Sequence, residues 1–87
     1  MDIIWDEDKN LWLQLNRDTS FEIIADKILN KQYIDILENP TREEQLYFIM
    51  QLNNYTWVVP FFINEKEEIV LKTAFQSRKY HKKYGGK

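Results

Sequence analysis

The chain has no cysteine, a single histidine and only two glycines, both at its far end as Gly85 and Gly86. Without cysteine there are no disulfides and no thiolate to act as nucleophile or metal ligand. One histidine leaves the carboxylates as the main metal ligands, and Asp2, Asp6 and Asp8 lack both the spacing and the glycine of a calcium loop. The expectation is therefore no metal and no cofactor. No glycine precedes position 85, which excludes a Gly-rich loop cradling phosphates. Neither Ser20 nor Ser77 sits in a nucleophile-elbow motif. No apolar run approaches the roughly 18 residues of a membrane span, and Asp2 and Asp6 stand where a secretory leader would be basic. A soluble, cytoplasmic protein is expected.

What is present suffices for one small core. The 87 residues are 44% hydrophobic and 15% aromatic, enough for a single domain spanning 1–87 and too few residues for a second. Charge is distributed unevenly. Residues 1–71 carry six Lys/Arg and all 14 Asp/Glu, a formal charge of −8; residues 72–87 carry six Lys/Arg and no acid, a charge of +6. An acidic body with a basic end makes that end a candidate contact for phosphates or for an acidic partner.

Hydrophobic periodicity orders the elements. Ile3-Ile4-Trp5 reads as a short strand. Asp6 is a good N-cap for a helix ending near residues 16–18, with Leu11, Trp12 and Leu15 at helical spacing as its apolar face. Thr19 and Glu22 form a capping box before a second helix whose apolar positions are Phe21, Ile24, Ala25, Ile28 and Leu29. From residue 32 the period becomes that of strands: 33–37, 45–52, 55–63 and 68–75. Asn53-Asn54 suits the positive φ values of a tight hairpin, and Pro60 marks an edge or a bulge because it cannot donate to a ladder. Ser77 would cap a short last helix over 78–84, stopped by Gly85-Gly86. The result is an α+β domain: an antiparallel sheet of three to four strands packed with N-terminal helices and a short C-terminal helix.

The chemistry open to such a chain is phosphate chemistry. Alternation along 68–75 places Lys72 with Ala74 on one face and Leu71, Thr73 and Phe75 on the other. In the last helix Arg78 and Lys82 stand four residues apart, as do Lys79 and Lys83, while Tyr80 and Tyr84 form their own pair. Cations for phosphates beside rings for bases are what single-stranded RNA requires. The same tyrosines would equally serve to pack the helix on the sheet. His81, the chain's one imidazole, is a candidate acid or base, although a lone exposed histidine is more often incidental. Arg17 is a surface charge by default, and a phosphate ligand if the fold returns it to the C-terminal segment.

Two stretches resemble a known family. Ile4-Trp5-Asp6-Glu7-Asp8-Lys9-Asn10, followed after the first helix by Ser20-Phe21-Glu22, is similar to the N-terminal signature of the BrnT-type toxins, and Ser77-Arg78-Lys79 running into a basic helix is similar to that family's ending. The family's Lys-His-Gly turn is replaced here by Asn16-Arg17-Asp18. The resemblance implies a RelE-like ribonuclease toxin that cleaves RNA without metal. It also implies an antitoxin partner, usually a ribbon-helix-helix DNA-binding protein. Arg78 falls on the arginine of the family's terminal segment, Lys72 on a basic residue of the preceding strand, and Arg17 in the replaced turn. On that basis Arg78, Lys72, His81 and Arg17 are the catalytic candidates, and Lys79, Lys82, Lys83, Tyr80 and Tyr84 the RNA-binding ones. The alternative is a non-catalytic domain that docks an acidic protein or nucleic acid through its basic helix.

Overall fold

The structure, a computed structural model, describes residues 2–85. The expected stop at Gly85-Gly86 therefore falls partly outside the described residues, as does Lys87.

Strand β1 (Ile3–Trp5) leads into helix α1 (Glu7–Arg17), where the Asp6 carboxylate accepts from the Asp8 N–H as an N-cap. Helix α2 (Phe21–Leu29) is capped by Ser20, whose Oγ accepts from the Ile23 N–H, and not by Thr19. Thr19 is instead buried, because α1 ends at Asp18 in a left-handed conformation (φ 52°) and turns the chain inward there. A meander follows: β2 (Asp35–Glu38), β3 (Leu46–Leu52), β4 (Tyr55–Ile63) and β5 (Ile69–Leu71), each antiparallel to the next. The sheet is wider than the expected three to four strands. β1 adds to β5 in parallel, and β6 (Phe75–Gln76) pairs with β4 beyond the end of β5.

The strand expected over 68–75 is thus broken in two. Between Phe61↔Leu71 and Val58↔Phe75, three steps along β4 are matched by four along the opposing chain, a one-residue bulge over Lys72–Ala74. Pro60 explains why it falls there. The hairpin turn at Asn53-Asn54 (φ 54° and 61°) makes Leu52–Tyr55 a hydrogen-bonded pair, so Tyr47–Pro60 is a non-bonded one. The position lacking an N–H therefore faces the bulge, where only its carbonyl is used, accepting from the Lys72 N–H at 2.9 Å. The bulge also breaks the expected alternation: Leu71 and Ala74 are both buried while Lys72 is exposed, so Lys72 does not share a face with Ala74.

One face of the sheet packs on the helices. Leu13, Phe21, Ile24 and Ile28 meet Phe48, Met50, Trp57, Val59 and Phe61, with Phe48 and Phe61 stacked at 4.2 Å between ring centroids. Leu29 is exposed, and so are Leu11, Trp12 and Leu15, the face read as apolar from their spacing. The inward line of α1 is Asn10, Leu13 and Arg17, in which polar residues occupy inward positions because each has a tertiary partner. Asn10 Oδ1 accepts from the Phe21 N–H at 2.7 Å, and its Nδ2 donates to Glu22 at 2.8 Å.

On the other face, Ile49 and Val58 pair with each other and are fully buried without belonging to that core. There α3 (Arg78–Tyr80), continued by a π-helical turn (His81–Gly85), packs against β4. Ser77 caps it as expected, accepting from the Tyr80 N–H.

Candidate functional site

The basic end of the chain is a docked element. His81 stacks on Tyr55 with 4.0 Å between ring centroids, and its Nδ1 lies 3.0 Å from Oγ1 of Thr56, which also accepts from Gln51 Nε2 at 2.7 Å. Thr56 is fully buried beneath this contact. Gly85 closes over the same three side chains: a Cβ there would stand 2.3 Å from Thr56 Oγ1 and 2.4 Å from Gln51 Nε2, so only glycine fits this approach. One residue earlier, the Tyr84 hydroxyl donates to Asp35 Oδ2 at 3.0 Å. Tyr84 therefore fastens the segment to β2.

The charges lie outward. Arg78, Lys79, Lys82 and Lys83 are exposed. Their arrangement differs from separate cationic and aromatic stripes, because Lys79 lies over the Tyr80 ring and Lys83 over the Tyr84 ring, each at 5.3 Å. The two rings stack loosely at 6.2 Å. The outer surface is thus half-buried tyrosine rimmed by ammonium groups. Lys72 stands apart at the bulge, over the ring of Phe62 at 5.5 Å.

Arg17 reaches the chain just before the C-terminal segment. Its Nη1 donates to the carbonyl of Ala74, four residues before Arg78, and its guanidinium lies 4.6 Å from the Trp12 ring centroid. Lys9 lies 4.1 Å from the same ring centroid, so Trp12 contacts two cations. Beside Arg17 a cleft of about 640 Å³ opens between the end of α1 and β6, walled by Leu15, Trp57 and Phe75 and rimmed by Gln14, Asp18 and Gln76. Trp57 and Thr56 are neighbours on β4 and point to opposite faces. The cleft and the His81 cluster are therefore separated by the sheet, and residues 76–78 connect them around β6. Gln76 lines the cleft, Ser77 caps the helix and Arg78 is its first residue.

Gln51, Tyr55, Thr56, Trp57 and Gln76 are not apparent as site residues in the sequence. One signal was available: the Asn53-Asn54 hairpin sets Gln51 opposite Thr56, a polar pair among apolar ones. Among the described residues no cluster of three or more His, Asp or Glu could hold a metal, and no helix is long and apolar enough to cross a membrane.

No protein-family model matches the chain, and no curated protein matches it. Its fold is that of a solved structure. The chain is similar to the Brucella abortus ribonuclease toxin BrnT, known at 1.1 Å resolution, with a TM-score of 0.65 and 20% identity over 88% of this chain and 96% of that one. The small α+β class expected from the sequence is the one observed, and the fold is the BrnT-like one, with a wider sheet.

Proposed function

We propose that the protein is the toxin of a type II toxin–antitoxin pair, a ribonuclease acting on RNA in the cytoplasm. The observation that carries this reading is an architecture shared with a ribonuclease toxin over nearly the whole of both chains. The exposed cations of the C-terminal segment support it, since an RNA substrate needs phosphate contacts.

In the proposed reaction the ribose 2′-oxygen attacks the adjacent phosphorus. The O2′–P bond forms and the P–O5′ bond breaks, leaving a 2′,3′-cyclic phosphate and a free 5′-hydroxyl. No metal takes part. Arg78, at the exposed first turn of the helix, stabilises the charge that develops on the phosphoryl oxygens. Arg17 binds a flanking phosphate from the cleft side, and Lys79, Lys82 and Lys83 bind others along the helix. Lys72, held over Phe62 at the bulge, adds positive charge to the approach. His81 moves a proton through Nε2, its Nδ1 being engaged by Thr56. The partner is an antitoxin, of ribbon-helix-helix type, that neutralises the toxin.

Induced expression of wild type and Arg78→Ala tests this, together with cleavage of a mixed RNA pool by the purified proteins. The variant is expected to lose on the order of 100-fold in cleavage rate, and its toxicity, while keeping its melting temperature. Unchanged toxicity would remove Arg78 from the mechanism. RNA bound but left intact by the wild type would establish the non-catalytic binding domain instead.

A further inference from the structure

We infer that the cleft between α1 and β6 is a nucleobase subsite with a preference for guanine, an inference that rests on the RNA reading above and deepens it. Its volume, about 640 Å³, is that of a ligand cleft, which typically spans roughly 300–1,000 Å³. The wall is apolar and aromatic, from Leu15, Trp57 and Phe75, and would receive the flat face of a base.

The rim is polar and largely uncommitted. Gln14 and Gln76 are exposed, and their amides make no hydrogen bond among the described residues. Arg17 spends one donor on the Ala74 carbonyl, out of the five that a guanidinium carries. Trp57 is only 2% exposed, and its indole N–H, like that of Trp5, has no acceptor among the described residues.

Guanine is singled out by the side chains next to each other at the rim. Arg17 is a donor only and Asp18 an acceptor only. Guanine presents O6 and N7 as paired acceptors, the pattern an arginine reads, and its N1–H and N2–H₂ are paired donors, which suit a carboxylate. Adenine reverses the sign at the exocyclic group, and neither pyrimidine offers both pairs. Gln76 is two residues from Arg78, so a base held here would bring its own phosphate toward the first turn of the basic helix.

The test is binding, measured apart from cleavage. Guanosine, adenosine, cytidine and uridine 5′-monophosphates are titrated separately into the full chain, with inorganic phosphate as a control. The readout is the Trp57 indole N–H and the Gln14 and Gln76 side-chain amides by ¹H–¹⁵N NMR. Guanosine monophosphate is expected to shift all three and to bind about tenfold tighter than the others. Asp18→Asn is expected to bring the four nucleotides within about twofold of each other. The fold tolerates that change, because asparagine also adopts the left-handed conformation of Asp18 (φ 52°). Equal binding of all four by the wild type, shifts reproduced by phosphate alone, or guanine preference surviving in Asp18→Asn would each overturn the subsite. A chain that shows the preference yet leaves RNA intact would overturn the ribonuclease reading and leave the subsite standing.

Discussion

Asn10 shows how much one polar side chain can organise. It is 2% exposed, and it joins α1 to the start of α2 through the Phe21 N–H and the Glu22 carboxylate. Replacing it with alanine strands a buried backbone donor. Asn10→Ala is therefore expected to lose about 1–3 kcal/mol in urea unfolding, a cost that an exposed asparagine would not show. The same contact sets a pH dependence. The hydrogen bond from Asn10 is the main cause holding the Glu22 carboxyl below its ordinary value of 4.5. The folded state thus favours ionised Glu22, and the resulting stability is present above 4.5 and lost as pH falls through the lower folded value. Melting temperatures followed from pH 6 downward should decline less steeply in Glu22→Gln than in wild type; parallel curves would refute the linkage. The scarcity of glycine appears at this scale too. Five positive-φ positions are filled by Asp18, Lys31, Asn53, Asn54 and Glu67, and none of the described ones by glycine. Asp and Asn tolerate that conformation better than Lys31 and Glu67 do.

Among the elements, α1 departs most from its reading. Leu11 and Leu15 have the right spacing for a buried stripe but are 55% and 76% exposed, whereas Leu13 is fully buried. Spacing could not distinguish the two faces, because the inward one uses Asn10 and Arg17, whose partners lie in α2 and beside β6. The difference is measurable: Leu13→Ala should cost about 2–5 kcal/mol and Leu15→Ala less than about 0.5. Comparable losses for the two would mean that the helix is rotated. The β3–β4 hairpin was the most legible element, since two adjacent asparagines satisfy both left-handed positions and so determine the register of everything paired beyond them. The break between β5 and β6 was not legible. Pro60 marked either an edge or a bulge, and which residues of the opposing chain would absorb a bulge depended on Leu71 and Ala74 both reaching the core.

For the molecule as a whole, the last segment completes the fold. Ile49 and Val58 are fully buried on the sheet face where it packs, and Thr56 with them. A chain ending at Gln76 would expose both aliphatic side chains, each worth about 1.5–3 kcal/mol when buried. Such a truncation is expected to melt well below the full chain and to bind a hydrophobic dye. A melting temperature within a degree or two of the full chain would show the segment to be a loose tail. Fastening the cationic segment to the core also positions its charges, which is the condition for using them on a substrate.

From the sequence follow the α+β class, the order of the helices and strands, the hairpin, the Ser77 cap and the concentration of positive charge at one end. These depend on contacts within a few residues, where capping, periodicity and turn chemistry act. Tertiary structure alone decided which face of α1 is inward, that Arg17 reaches the Ala74 carbonyl, and that His81 meets Tyr55 and Thr56. Each of these is a contact between residues distant in the chain, made where the packing of two layers on one sheet left room for it. No local pattern carries that geometry, because it belongs to the surfaces that meet rather than to either segment.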